Sequence, residues 1–306
     1  MDEQVFLAKL ADAASAVESA LNERLGLVPK AGETARPRRL VEAMRYATLG
    51  GGKRLRPFLA IATGRALGRA DAAPVLAGAA IECVHAYSLI HDDLPAMDDD
   101  DLRRGRPATH RAFGEAAAIL AGDALQTMAF EILSDPRTDR DPATRAALCA
   151  GLARAAGLAG MVGGQMLDIE AEAAAAPLPI EAIARLQAMK TGALIRFSVE
   201  AGATLGGVDA AGQAAFASYG RAIGAAFQIA DDLLDAEGDA ATLGKRAGKD
   251  AGRHKATLVA ALGAAGARAE LARLVDEAKA AVAAAGVGEA GEALRAAADF
   301  VAFRKS

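Results

Sequence analysis

The chain has 306 residues, 53% of them hydrophobic and 24% charged, with 35 basic against 39 acidic side chains for a net charge of −4. That balance excludes a disordered or collagenous chain. The lack of tryptophan and of any clustered basic face argues against nucleic acid as the main partner, because phosphate backbones are bound by accumulated Lys and Arg. Cys83 and Cys149 are too few for a disulfide framework and have no His or Cys at metal-ligand spacing, so both are expected to be reduced core thiols. The N-terminus MDEQVFLAKLAD opens with acid and lacks a signal-peptide pattern. No apolar stretch approaches the ~18 residues of a membrane span, so a cytoplasmic protein without one is expected.

Alanine supplies roughly a quarter of the residues and strand-type clusters are scarce, which favours an all-α fold. Helical spacing of apolar residues predicts helices over Val5 to Leu25, Leu40 to Leu49, Pro57 to Leu67, Ala72 to Ile90, Ala116 to Leu133 and Ala143 to Ala156. Further helices are predicted over Ile180 to Leu205, Ala210 to Leu234, Ala256 to Ala285 and Glu292 to Phe303. Breaks fall where Gly, Pro and Asp cluster, as at 50–52, 68–71, 135–142, 206–207 and 286–291. The segment AEAAAAPLP at 171–179 reads as a short surface connection. With no repeat of 20–50 residues and no compositional break, residues 1–306 are expected to form one bundle of about ten helices.

The strongest chemical feature is HDDLPAMDDDDLRRG at 91–105, where six carboxylates occupy ten residues and two arginines follow. Such crowding costs stability unless cations neutralise it. A second acidic cluster, FQIADDLLD at 227–235, ends another apolar helix, and Asp231 and Asp235 lie one turn apart on a shared face. Hard oxygen ligands suit Mg²⁺ or Ca²⁺, and Mg²⁺ commonly combines one or two carboxylates with substrate phosphates. An EF-hand is excluded: counting from Asp98, Arg103 falls where the invariant Gly belongs, and no Glu closes the loop. GGKRLRP at 51–57 offers a glycine turn with three cations before a helix, suited to an anion. It is not a Walker A loop, since Arg54 stands at the Ser/Thr position.

GGKRLRP, HDDLPAMDDDDLRRGRPATH and FQIADDLLD, with Lys190-Thr191 and LGKRAGKD at 243–250, stand in the order and approximate spacing of a known family. From about Arg38 onward the chain resembles a short-chain trans-prenyltransferase of the polyprenyl synthetase family, similar to bacterial farnesyl-forming enzymes. The resemblance implies a single isoprenoid-synthase helical bundle around a central apolar cavity, working as a homodimer. It implies Mg²⁺-dependent condensation of isopentenyl diphosphate with dimethylallyl and geranyl diphosphate. Asp92, Asp93 and Asp98, with Asp231, Asp232 and Asp235, would hold three Mg²⁺ ions, or Mn²⁺ in their place. Arg103, Lys190 and Lys245 would attend the allylic diphosphate, and LGKRAGKDAGRHK at 243–255, with Lys245, Asp250 and Lys255, would be a flexible loop that closes over the metal site as a mobile lid. Lys53, Arg56, His85 and Arg104 would bind isopentenyl diphosphate. The Lys190 carbonyl, the Thr191 hydroxyl and the Gln228 amide would face the cationic carbon.

Metal ions and cations would stabilise charge on the departing diphosphate, which needs no protein nucleophile, and a water-excluding pocket would protect the allylic cation. The resemblance also makes Tyr87, five residues before Asp92 and thus about 7.5 Å along the helix, the floor that stops growth at fifteen carbons. Geranyl or geranylgeranyl diphosphate synthases stay open as alternatives. A terpene cyclase would carry an Asn/Ser/Glu-type second motif, and a regulatory subunit would have lost matched positions.

Overall fold

The computed structural model describes residues 1–174, 176, 178–242 and 257–303, with the side chains of 237–242 and 303 outside the description. Lys245, Asp250 and Lys255, predicted to line a mobile lid, and the terminal 304–306 therefore lie outside the described residues.

Alanine-rich sequence with polar punctuation gives helix after helix, in accord with the all-α expectation. In chain order these are α1 (Glu3–Arg24), α2 (Arg38–Thr48), α3 (Leu55–Ala66), α4 (Ala73–Asp92), α5 (Thr109–Phe113), α6 (Glu115–Ser134), α7 (Pro142–Ala156) and α8 (Met161–Glu172). They continue as α9 (Ile180–Gln187), a π-helical turn (Ala188–Gly192), α10 (Ala193–Gly206), α11 (Ala210–Thr242), α12 (Leu258–Ala284), a 3₁₀ turn (Gly288–Gly291) and α13 (Glu292–Phe303). Local chemistry sets several starts. Asp2 and Asp141 accept from backbone N–H groups in the first turns of α1 and α7, which satisfies donors that a helix leaves orphaned.

The most buried helices are α3, α4 and α10, which pack on one another, with α1, α6, α7 and α11 around them. Glycines permit the closest approach in this inner layer: a Cβ at Gly202 of α10 would lie 2.6 Å from the Ala60 carbonyl oxygen of α3. Tyr219 of α11, fully buried, donates to the Leu294 carbonyl at 2.8 Å and so ties α11 to α13.

Four expectations need correction. Residues 161–172, for which no helix was predicted, form α8. Ile180 to Leu205 is interrupted by the π turn rather than running as one helix. Between α4 and α5 a small antiparallel hairpin pairs β1 (Leu102–Arg103) with β2 (Arg106–Pro107). Its turn residues Arg104 and Gly105 both have positive φ, which matches the twist of a two-residue hairpin. Finally, three stretches are long and apolar enough to cross a membrane by length and composition: Ala73–Asp92, Glu115–Ser134 and Pro142–Glu172. Of the first window, 78% is buried inside the protein.

Candidate active site

The carboxyl end of α4 delivers the first acidic motif. Asp92 is the last helical residue, Asp93 caps it, and the chain folds back so that Asp98 N–H donates to the Asp92 carbonyl at 2.9 Å. Asp93 is buried and held by Arg103, whose Nε donates to Asp93 Oδ1 at 2.9 Å. Neighbouring residues of an extended chain point to opposite sides. Accordingly Arg103 faces Asp93, while Arg104 turns away and donates to the Gly51 carbonyl. Asp99, Asp100 and Asp101, which had no predicted role, pair with Arg111 and Arg103.

Arg104 seats on the glycine turn of the basic motif. A Cβ at Gly52 would lie 2.8 Å from the Arg104 guanidinium, and both Gly51 and Gly52 have positive φ, so glycine is what admits the arginine there. The same turn positions Lys53, whose ammonium lies 6.0 Å from the Phe300 ring, and Arg56, whose guanidinium lies 5.9 Å from the Phe227 ring. His85 on α4 senses Arg56 and Arg104, and burial foremost, then these cations, hold its imidazole well below its usual pKa. The predicted isopentenyl residues Lys53, Arg56, His85 and Arg104 thus belong to adjoining elements. Arg54, to which no role was given, is buried at their centre: it pairs with buried Glu82 and donates to the Thr48 carbonyl. A lone Arg in a basic run carries no sequence signal that would separate it from its neighbours.

A cavity of about 590 Å³ opens between α4, α6, α8 and the π turn. Apolar side chains including Tyr87, Met161, Val162, Met166 and Ile169 line it, together with Arg56, His85, Asp92, Lys190 and Thr191. This volume falls within the about 300–1,000 Å³ usual for small-molecule sites. Tyr87 is buried, with no hydrogen-bond partner on its hydroxyl, and burial pushes its pKa up to about 12. Burial likewise pushes the Asp92 carboxyl up to about 6; Lys190 opposes this and Asp98 adds to it. Lys190 itself donates to Asp168 of α8 at 2.5 Å.

The second motif is organised differently. Buried Asp232 accepts from the amide nitrogens of Gln228 at 2.9 Å and Gln187 at 3.0 Å. Burial raises its pKa, against the pull of those two bonds. Gln187, to which the sequence drew no attention, is the last residue of α9, directly before the π turn that carries Lys190. Gln228 lines a separate cavity of about 570 Å³ behind that turn, not the cavity that holds Lys190 and Thr191. Asp231 is half-buried and Asp235 exposed on α11. The π turn packs against both α8 and α11 and so connects the two motifs.

The donor set suits a hard divalent cation, being all carboxylate oxygen, and the desolvated Asp92 is a carboxylate that a cation would complete. Among the described residues, however, no three His, Cys, Asp or Glu side chains converge as a metal cluster.

The polyprenyl synthetase family model matches residues 37–289. The chain is 52% identical over 246 residues to the farnesyl diphosphate synthase of Escherichia coli K12, covering 78% of this chain and 80% of that one. It is 46% identical to the farnesyl diphosphate synthase of Geobacillus stearothermophilus, covering 79% and 82%. Among solved structures, an FPP/GFPP synthase from Zymomonas mobilis superposes with a TM-score of 0.87 at 45% identity, covering 98% of this chain and all of that one. The chain belongs to the polyprenyl synthetase family. It is a prenyltransferase.

Proposed function

We propose that this protein joins isopentenyl diphosphate to dimethylallyl and then geranyl diphosphate, giving farnesyl diphosphate. The observation that carries this reading is the single cavity in which an apolar wall meets Asp92, Lys190, Arg56 and His85. Such a lining accepts a hydrocarbon tail and a charged head together. The similarity to farnesyl diphosphate synthases over most of both chains supports the fifteen-carbon product.

Asp92, Asp93, Asp98, Asp231, Asp232 and Asp235 would hold Mg²⁺. When bound, such ions offset charge on the leaving diphosphate as Lewis acids. The chain's own residues do the rest. Lys190 and Arg103 supply cationic donors near Asp92, with Arg103 also fixing the Asp93 carboxylate. Lys53, Arg56 and Arg104 offer the second diphosphate its counter-charges, while His85, kept neutral by burial among them, can donate or accept a hydrogen bond. Thr191 brings a hydroxyl to the cavity wall, where its oxygen dipole favours a cationic carbon. Methionines and aliphatic side chains keep water from that carbon. Gln228 positions Asp232 through its amide nitrogen.

Tyr87 would close the tail end of the cavity. A homodimer is also proposed, supported by the exposed apolar Leu120 on α6 and Leu158 ahead of α8, neither of which lines the cavity; sedimentation would read its mass. The central test incubates purified protein with labelled isopentenyl diphosphate and each allylic diphosphate, with Mg²⁺ or with chelator, and sizes the products. Farnesyl diphosphate formed only with metal is expected. No condensation would refute the reading, and a twenty-carbon product would favour geranylgeranyl synthesis.

A further inference from the structure

Lys190 belongs to a five-residue π-helical turn, a geometry rare in proteins and concentrated at functional sites. Two contacts from α8 fix this turn. The first takes its backbone: a Cβ at Gly164 would lie 2.6 Å from Lys190 Cα and 2.7 Å from the Met189 carbonyl carbon, so α8 approaches this closely because it carries glycine there. The second takes its side chain. Lys190 Nζ donates to Asp168 Oδ2 at 2.5 Å, with both side chains about a third exposed. Gly164 and Asp168 are four residues apart and share one face of α8.

Lys190 lines the same cavity as Asp92, and among the neighbouring charges its ammonium acts most strongly on that carboxyl. A lysine stem is flexible, and its ammonium would otherwise spread over many rotamers. Asp168 removes that freedom while leaving part of the ammonium accessible. Nothing in the acidic motifs marked Asp168, which lies outside both of them in the sequence MLDIE.

We propose that Asp168 is a positioning residue for the allylic diphosphate: it holds the Lys190 ammonium beside Asp92, so that one π turn presents a fixed cation and the Thr191 hydroxyl to a single substrate. This inference rests on the prenyl-transfer reading. The cations assigned to isopentenyl diphosphate are carried by the glycine turn, α3, α4 and the hairpin, none of which Asp168 bonds. Loss of Asp168 therefore acts on one substrate and spares the other.

The test is steady-state kinetics of Asp168→Asn, which keeps size and removes charge, beside Asp168→Glu, which keeps charge. For Asp168→Asn, KM for the allylic diphosphate should rise about tenfold, as for a lost charge-assisted hydrogen bond, with KM for isopentenyl diphosphate within about twofold of the parent. Asp168→Glu should recover most of that loss. A second readout needs no turnover: acylation of Lys190 by an amine reagent, followed by mass spectrometry in metal-free protein, should be faster in Asp168→Asn than in the parent. Equal rises in both KM values, or an unchanged allylic KM, would overturn the proposal. A fall in allylic KM would do so too, since it would make Asp168 a competitor of the diphosphate. Should Asp168→Asn fail to fold, Asp168→Glu decides by the same split at smaller size, and an equal effect on both substrates sinks the idea. If the parent enzyme makes no product, the function reading fails, while the acylation rates still report whether Asp168 holds the ammonium.

Discussion

Replacing Asp92 with asparagine should stabilise the metal-free protein while disabling it. Burial lifts the Asp92 carboxyl from 3.8 to about 6, and neither Lys190 nor Arg103 brings it back down. A raised carboxyl pKa means that the folded state binds a proton more tightly than the unfolded chain does. Its favourable contribution is therefore complete below about pH 4 and is lost as the pH rises through about 6. At about 1.4 kcal/mol for each pKa unit, the ionised group costs the fold about 3 kcal/mol at pH 8. Asparagine keeps the shape and removes the charge. Urea unfolding in the presence of chelator, run at pH 4 and pH 8, should show Asp92→Asn gaining about 3 kcal/mol over the parent at pH 8 and little at pH 4. Taking the difference between the two proteins cancels every other titration. Turnover should fall by about a hundredfold or more, as when a preorganised electrostatic group is removed. A stability difference of the same size at both pH values would refute the reasoning, because the gain would then have nothing to do with ionisation.

Tyr87→Ala should shift products beyond fifteen carbons, read by chromatography, and an unchanged length would reject the floor role. Glu82→Ala should cost about 3–5 kcal/mol in urea unfolding, because it removes the buried one of the two carboxylates that pair with the buried Arg54 guanidinium and leaves only the more exposed Glu18; a loss under about 1 kcal/mol would contradict this. Gly164→Ala should cost about 1–3 kcal/mol through overpacking against the π turn and should lower kcat with either allylic substrate, whereas a parent-like kcat would mean the turn tolerates displacement.

The sequence displayed the helical elements well wherever apolar spacing was regular, as in α4, α6 and α7, whose predicted ends fall within two residues of the observed ones. It concealed α8, because glycine lowers helix propensity and says nothing about a neighbour. Gly164 is explained only by the Lys190 backbone that lies against it. The π turn was hidden for a related reason: one inserted residue leaves the apolar period almost intact while redirecting Lys190 and Thr191. Among site residues, the Asp motifs and the basic loop were visible because their charges crowd together. Glu82, Asp168 and Gln187 were not, since each is a single polar residue in an apolar or ordinary helix, partnered by a residue 22 to 45 positions away or, for Glu82, 28.

Two adjacent aspartates in each motif look equivalent in sequence, yet the fold makes them unlike. Successive helical residues point about 100° apart, so a pair cannot present both carboxylates to one ligand from a straight helix. In each motif the second member is buried and bonded: Asp93 by Arg103, Asp232 by Gln187 and Gln228. The two solutions differ in charge. Arg103 offsets the charge of Asp93, whereas neutral amides leave that of Asp232 intact; burial raises the pKa of both carboxyls, against the pull of Arg103 at Asp93 and of two amide hydrogen bonds at Asp232. A charge kept in a desolvated place without a cation makes the neighbourhood of Asp232 a strong draw for positive charge. By the same logic Gln187→Ala removes a hydrogen bond but no charge, so it should raise the Asp232 pKa further and weaken metal retention most below neutral pH. Calorimetric titration of Mg²⁺ with inorganic diphosphate at pH 6 and pH 8 measures this, and an equal loss at both values would show that Gln187 serves packing alone.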